Sequence, residues 1–164
     1  MYYILCIAIS YLIGSFQISY HLCKLIKKKD IREFGEKNTG AANAFTVVGA
    51  KTGILCFLCD AGKGALAVFV SVCFFSRANV IMMLVAGIFC VIGHNFPFYM
   101  HFKGGKGVAV TLGIFLMIDY RVFAFAAIPA LIILLITGLL SVASLSFELI
   151  VFVFMVIFNI GSSD

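Results

Sequence analysis

The sequence predicts an all-α integral membrane protein, a polytopic bundle of about six transmembrane helices with short or broken helices around a polar site on one face. Three observations carry that expectation. First, 63% of the 164 residues are hydrophobic and only 12% are charged, whereas soluble domains are about half apolar and about a quarter charged. Second, the mean hydropathy is +1.16 and the apolar residues fall in continuous runs, not in the alternation of a membrane β-barrel. Third, six spans of about 20 residues each use most of the chain and leave one long loop. Residues 1–164 therefore read as a single transmembrane domain with no room for a soluble one.

The first apolar run, Met1–Cys23, has no basic leader and no small-residue cleavage site, so it reads as a span (Tyr2–Leu22), not a signal peptide. Its last turns carry Gly14, Ser15, Gln17, Ser19, Tyr20 and His21. Polar groups facing lipid are costly, so this face should look into the bundle, either for helix–helix packing or as part of a site.

The long loop, Lys24–Thr52, carries Lys24, Lys27, Lys28, Lys29, Arg32, Lys37 and Lys51. Basic loops stay cytoplasmic and favour anionic headgroups; no nucleic-acid partner is expected. Its centre is rich in Gly35, Asn38, Gly40 and Asn43, residue types that permit unusual backbone dihedrals and supply amide donors. The segment is read either as an anion-wrapping loop or as a plain connection.

Span two, Gly53–Phe75, contains Asp60 and Lys63, three apart and so on one helical face. At this depth they should face inward, as an ion pair or as positive potential beneath a site. Cys56 and Cys59 form a C-x-x-C inside the same span, where buried cysteine acting as a small apolar side chain is the better reading. Ser76, Arg77 and Asn79 mark an outer loop.

Span three starts at Val80 and is interrupted at Gly93-His94 and Pro97. After Gly104-Gly105-Lys106-Gly107 comes Val108–Ile118, apolar for 11 residues. At about 1.5 Å per residue that run is well short of a ~30 Å hydrocarbon core, so short or broken helices should meet at a polar knot, as in other membrane sites. Span five, Val122–Leu140, contains Pro129. Ser141-Val-Ala-Ser144 reads as a turn, and span six, Leu145–Ile160, carries Glu148 before a short tail, Gly161–Asp164. The chain reads as stopping early.

Loops one, three and five hold nine of the 12 basic residues, counting Lys103 and Lys106, while loops two and four hold Arg77 and Arg121. The positive-inside rule puts the N-terminus outside and the odd loops in the cytoplasm. The Gly/Asn loop, the glycine knot and Ser141–Ser144 then share one face.

At that face the knot leads straight into a helix N-terminus, where backbone amides and the helix dipole favour an anion and Lys106 adds charge. The Walker pattern fails, because residue 100 is Met and residue 107 is Gly. His94, about one turn before Pro97, can act as a general base or as a donor to a leaving group, or it can be structural. His101 reads as interfacial. No metal-ligand spacing appears and no cofactor is expected. The residues by themselves reach a cytoplasmic-side site for a phosphorylated ligand.

Three blocks resemble the bacterial acyl-phosphate:glycerol-3-phosphate acyltransferase family, the PlsY type. Gly93-His94-Asn-Phe-Pro97 with Phe102-Lys103-Gly104-Gly105-Lys106-Gly107-Val-Ala is similar to its second block. Asp30-Ile-Arg32 with Gly35-x-x-Asn38-x-Gly40-Ala-x-Asn43 is similar to its first, and Ser141-Val-Ala-Ser144 to its third. The resemblance implies transfer of an acyl group from acyl phosphate to glycerol 3-phosphate at the inner membrane, giving lysophosphatidic acid and phosphate. It implies His94, Lys106 and Asn38 as catalytic residues. It further implies Arg32, Gly40, Asn43, Lys103, Gly104, Gly105, Gly107, Ser141 and Ser144 as substrate-binding residues, with an apolar groove for the acyl chain.

The sequence departs from the pattern at Glu36 and Lys37 (Ser-Gly in the family), Ala42 (Thr), Thr46 (basic) and Gly138 (Arg). A carboxylate at position 36 repels phosphate unless a cation neutralises it. A non-catalytic homologue that binds phosphate or lipid and modulates a partner is the alternative; a small transporter accounts for the knot less well. The sequence leaves the oligomeric state open.

Overall fold

The computed structural model describes residues 2–28, 30–74 and 80–157. Lys29, the outer loop with Ser76, Arg77 and Asn79, and the tail Gly161–Asp164 lie outside them. The described chain is helical and turns inside out relative to a soluble protein. Leu25, Phe74, Leu135 and Ile136 are exposed, while Ser10, Gln17, Ser19, Asn43, Asp60, Lys63 and His94 are buried. That distribution suits a lipid solvent. Five helical stretches are long and apolar enough to cross a membrane: Tyr2–Lys27, Ala50–Phe74, Val80–Met100, Tyr120–Thr137 and Leu140–Ile157; Val108–Ile118 is shorter. The expected bundle of about six is thus five full-length candidates and one short helix among the described residues.

The chain forms two compact units, Met1–Ile114 and Phe115–Asp164. In the first, helices α1 (Tyr2–Ser15), α4 (Ala50–Phe74), α5 (Val80–Asn95) and the start of α6 (Val108–Ile118) pack closely. Small residues make this possible. A Cβ on Gly14 would lie 2.0 Å from the Cys90 carbonyl oxygen, and one on Gly93 2.2 Å from that of Tyr11, so α1 and α5 touch backbone to backbone.

The first span is not continuous, contrary to the sequence reading. It breaks at Phe16-Gln17 and resumes as α2 (Ile18–Lys27). The break frees the Phe16 carbonyl, which accepts from Lys63 Nζ (2.9 Å), and the Gln17 amide, which donates to the Tyr99 hydroxyl (3.1 Å). Helix α2 also runs past the expected loop start at Lys24, because Lys24 and Lys27 in its last turn complement the helix dipole.

Much of the long loop takes regular structure. Asp30 caps a 3-10 turn, Ile31–Glu33, and α3 (Ala41–Val48) follows. Gly49, at φ +120°, joins it to α4. Few residues other than glycine hold that backbone conformation.

The second unit comprises the rest of α6, α7 (Tyr120–Thr137) and α8 (Leu140–Ile157). Asp119 caps α7 by accepting from the Arg121 amide, and the rings of Phe115 and Phe123 stand 6.2 and 6.0 Å from that of Phe147. The expected turn at Ser141–Ser144 is corrected. Helix α7 ends on Gly138 in the left-handed conformation (φ +67°), and both serines already belong to α8. Glycine at a helix C-cap avoids the penalty a side chain meets there, which gives a physical reason for Gly138.

Candidate functional site

The loop before α3 is shaped by Asn43. Its side chain is fully buried; Nδ2 donates to the carbonyls of Ile31 (3.1 Å), Phe34 (3.1 Å) and Asn38 (2.8 Å), and Oδ1 accepts from the Glu36 amide (2.9 Å). Both donor hydrogens are engaged, shared among three carbonyls, and Oδ1 uses one of its two acceptor lone pairs. Buried among these partners, Asn43 holds the loop and so shapes the site. Asn38 Oδ1 accepts from the Gly40 amide two residues on (2.8 Å), the usual asparagine turn. Its Nδ2 remains turned outward and reaches Glu36 Oε2 at 3.2 Å.

Arg32 is also engaged. Its guanidinium makes a fork with Asp30 (2.6 Å at the shortest), reaches the Met100 carbonyl at 3.4 Å and lies 5.1 Å from the Tyr20 ring centroid. The hydrogen bonds from Arg32 hold the Asp30 carboxyl below the usual carboxylate range. In the structure Arg32 clamps the loop to the turn after α5.

The knot is built on the end of α5. The Gly104 amide donates to the Asn95 carbonyl (3.0 Å) and the Gly105 amide to that of His94 (3.1 Å). These two glycines are needed for close approach. A Cβ on Gly104 would come 2.0 Å from the His94 oxygen, and one on Gly105 2.2 Å from His94 Nε2. Their amides are therefore turned inward, against the expectation that they bind phosphate. Among the described residues the amides of Lys106 and Gly107 take no partner, and they lead directly into α6. Gly107 has φ +82° and its Cα faces Asn95, whose Oδ1 is buried with no partner among the described residues. Lys103 and Lys106 are exposed.

Loop and knot are tied together by Thr39, which the sequence reading did not single out, and by Gln17, which it left between packing and the site. The Thr39 amide donates to the Gly104 carbonyl (3.3 Å), Thr39 Oγ1 to Gln17 Oε1 (2.8 Å), and Gln17 Nε2 to the His94 carbonyl (2.8 Å). Both side chains are buried. The signal available was Gln17 itself, an amide side chain in the middle of an apolar run.

Two charged clusters result. At the surface, Lys106 Nζ holds Glu36 Oε2 at 2.6 Å, and Lys106 with Asn38 keeps the Glu36 carboxyl below its usual range. Inside, Lys63 Nζ lies 3.1 Å from Asp60 Oδ1 and 2.7 Å from His94 Nδ1. The structure thus brings Asn38, Glu36, Lys106 and the start of α6 together, with His94 directly beneath Gly105. Ser141 and Ser144 belong to the second unit, where Ser144 Oγ donates to the Ser141 carbonyl (3.0 Å).

A family model described as glycerol-3-phosphate acyltransferase matches residues 4–163. The chain belongs to that family. A glycerol-3-phosphate acyltransferase of Finegoldia magna is 38% identical over 144 residues, covering 88% of this chain and 71% of the relative. Glycerol-3-phosphate acyltransferase 2 of Thermotoga maritima is 38% identical over 137 residues, 84% and 69% respectively. Among solved structures, PlsY, an integral membrane glycerol 3-phosphate acyltransferase, in its glycerol 3-phosphate form superposes with a TM-score of 0.86 at 32% identity. That match covers 94% of this chain and 76% of PlsY. Its lysophosphatidic acid form superposes with a TM-score of 0.83 at 30% identity.

Proposed function

We propose that this member of the glycerol-3-phosphate acyltransferase family transfers an acyl group from acyl phosphate to the 1-hydroxyl of glycerol 3-phosphate, giving lysophosphatidic acid for phospholipid synthesis. The hydroxyl oxygen attacks the acyl carbonyl, the bond between that carbonyl and the phosphate oxygen breaks, and the hydroxyl proton leaves with inorganic phosphate. Both substrates carry phosphate, so the site must hold dianions beside a membrane.

The observation that carries the reading is the Lys106–Glu36 contact. The knot lysine already grips a carboxylate oxygen at 2.6 Å, next to the unpartnered amides of Lys106 and Gly107 and the N-terminus of α6. This is an anion site, and a substrate phosphate takes the place of Glu36 in it. Asn38 Nδ2, now on the same carboxylate oxygen, turns with Lys106 to the phosphate. Exposed Lys103 draws the anions in. His94 assists transfer from beneath the knot. The charge asymmetry of the loops supports placing the N-terminus outside and the knot on the cytoplasmic side of a bacterial inner membrane.

The test is acyl transfer from palmitoyl phosphate to radiolabelled glycerol 3-phosphate by the purified chain in a lipidic mesophase, with Glu36→Ser beside it. Labelled lysophosphatidic acid from the natural sequence is the expected result. Activity in Glu36→Ser alone identifies Glu36 as a block on an intact site. Silence in both favours a homologue that binds phosphate without catalysis.

A further inference from the structure

His94 has one hydrogen to place on two ring nitrogens, and its surroundings decide where. Lys63, on α4, is buried and forms an ion pair with Asp60 one turn earlier. An ammonium has three N–H donors and no lone pair. Around Lys63 Nζ stand the Phe16 carbonyl oxygen at 2.9 Å, Asp60 Oδ1 at 3.1 Å and His94 Nδ1 at 2.7 Å. The first two accept only, and Asp60 meets the ammonium as an ion pair, its Oδ1 lacking an aligned hydrogen bond. Ser19 Oγ donates to the other carboxylate oxygen at 3.4 Å, and Asp60 Oδ1 is 3.8 Å from Nδ1, too far to take a hydrogen from it. A donor-only group at 2.7 Å requires a free lone pair on Nδ1. The neutral ring then carries its hydrogen on Nε2. That atom lies against Gly105, where a Cβ would come within 2.2 Å, and it has no hydrogen-bond partner among the described residues.

We propose that Lys63 and Asp60 are positioning residues that lock His94 as the Nε2–H tautomer, so that it enters acyl transfer as a hydrogen-bond donor to a substrate oxygen and not as the base for the hydroxyl. The role in transfer rests on the acyltransferase reading; the tautomer does not. No base is missing from the reaction, since the departing phosphate takes up the hydroxyl proton. The break in the first span has a use in this scheme: without it the Phe16 carbonyl would be bonded within a helix and unable to orient the ammonium.

The test is nitrogen NMR of the full chain in bicelles with 15N-labelled histidine, the His94 signals assigned by their loss in His94→Asn. The expected spectrum shows His94 neutral, with hydrogen on Nε2 and none on Nδ1. Lys63→Met should release the ring into a mixture of tautomers. A wild-type ring with hydrogen on Nδ1, or on both nitrogens, overturns the proposal, whether or not the preparation is active. In the transfer assay His94→Gln, which keeps an N–H near the place of Nε2, should retain about tenfold or more of the kcat/KM of His94→Asn, a ratio in the range of one hydrogen bond to a charged group. Equal loss in the two variants refutes donation from Nε2.

Discussion

Among the described residues two lysine–carboxylate pairs stand in opposite surroundings. Lys63–Asp60 (3.1 Å) leaves 5% and 2% of its side chains exposed, and Lys106–Glu36 (2.6 Å) leaves 60% and 46%. In water such a pair contributes little, because solvent already stabilises each charge. Inside a bundle each charge depends on its partner, and losing one leaves the other stranded. The buried pair is therefore a fixed part of the architecture, with its ammonium divided among Asp60, Phe16 and His94. The exposed pair can exchange its carboxylate for another anion at small cost, as a site for phosphate must.

The sharpest way to break this contrast is to remove each lysine in turn. Lys63→Met leaves Asp60 as an unpaired buried carboxylate and should cost about 3–5 kcal/mol, seen as a large fall in the thermal midpoint in detergent. Lys106→Ala should move stability by less than about 1 kcal/mol yet abolish transfer and glycerol 3-phosphate binding measured by calorimetry. If the two variants were equally unstable, burial would not be what separates the pairs. Gly105→Ala comes next. Its Cβ would sit 2.2 Å from His94 Nε2, and such overpacking costs about 1–3 kcal/mol. Because the ring must move, kcat should fall more than glycerol 3-phosphate affinity.

Much of this was legible in the sequence, for identifiable reasons. Continuous apolar runs announced the helices. The i, i+3 spacing of Asp60 and Lys63 announced their pairing, and the short run Val108–Ile118 gave a short helix with those bounds. What stayed hidden was how polar groups divide between ligand and protein. Asn43, Arg32, Gly104 and Gly105 have the chemistry of phosphate ligands, and in the fold their donors are turned onto carbonyls of Ile31, Met100, Asn95 and His94. Composition cannot report that, because it depends on which carbonyls the folded loop leaves unpaired. The break at Phe16-Gln17 was hidden likewise. No proline or glycine stands at those two positions; Tyr99 and Lys63, remote in sequence, take up the freed backbone groups, and Thr39 and His94 hold the Gln17 side chain. The serines were misplaced because Ser-Val-Ala-Ser looks like a turn, whereas Gly138 already provides one.

The smallest effect is the most informative about the exposed pair. Glu36→Ser removes the internal anion that competes for Lys106. Stability should change by less than about 1 kcal/mol, while KM for glycerol 3-phosphate falls several-fold and kcat stays close to that of the parent. The dependence on pH fixes the cause. Lys106 and Asn38 lower the Glu36 carboxyl in the folded chain, so the pair is fully formed above the ordinary carboxylate range, about 4.3, and is lost as the pH falls through the lowered folded value. The KM advantage of Glu36→Ser should therefore be constant across neutral pH, and carbon NMR of the Glu36 carboxyl should place its titration below that range. Saturating glycerol 3-phosphate should then raise the titration, because a bound phosphate that takes Lys106 returns Glu36 to water. A titration unmoved by substrate would mean that phosphate and Glu36 do not share the lysine, and the two pairs would then differ in burial without differing in use.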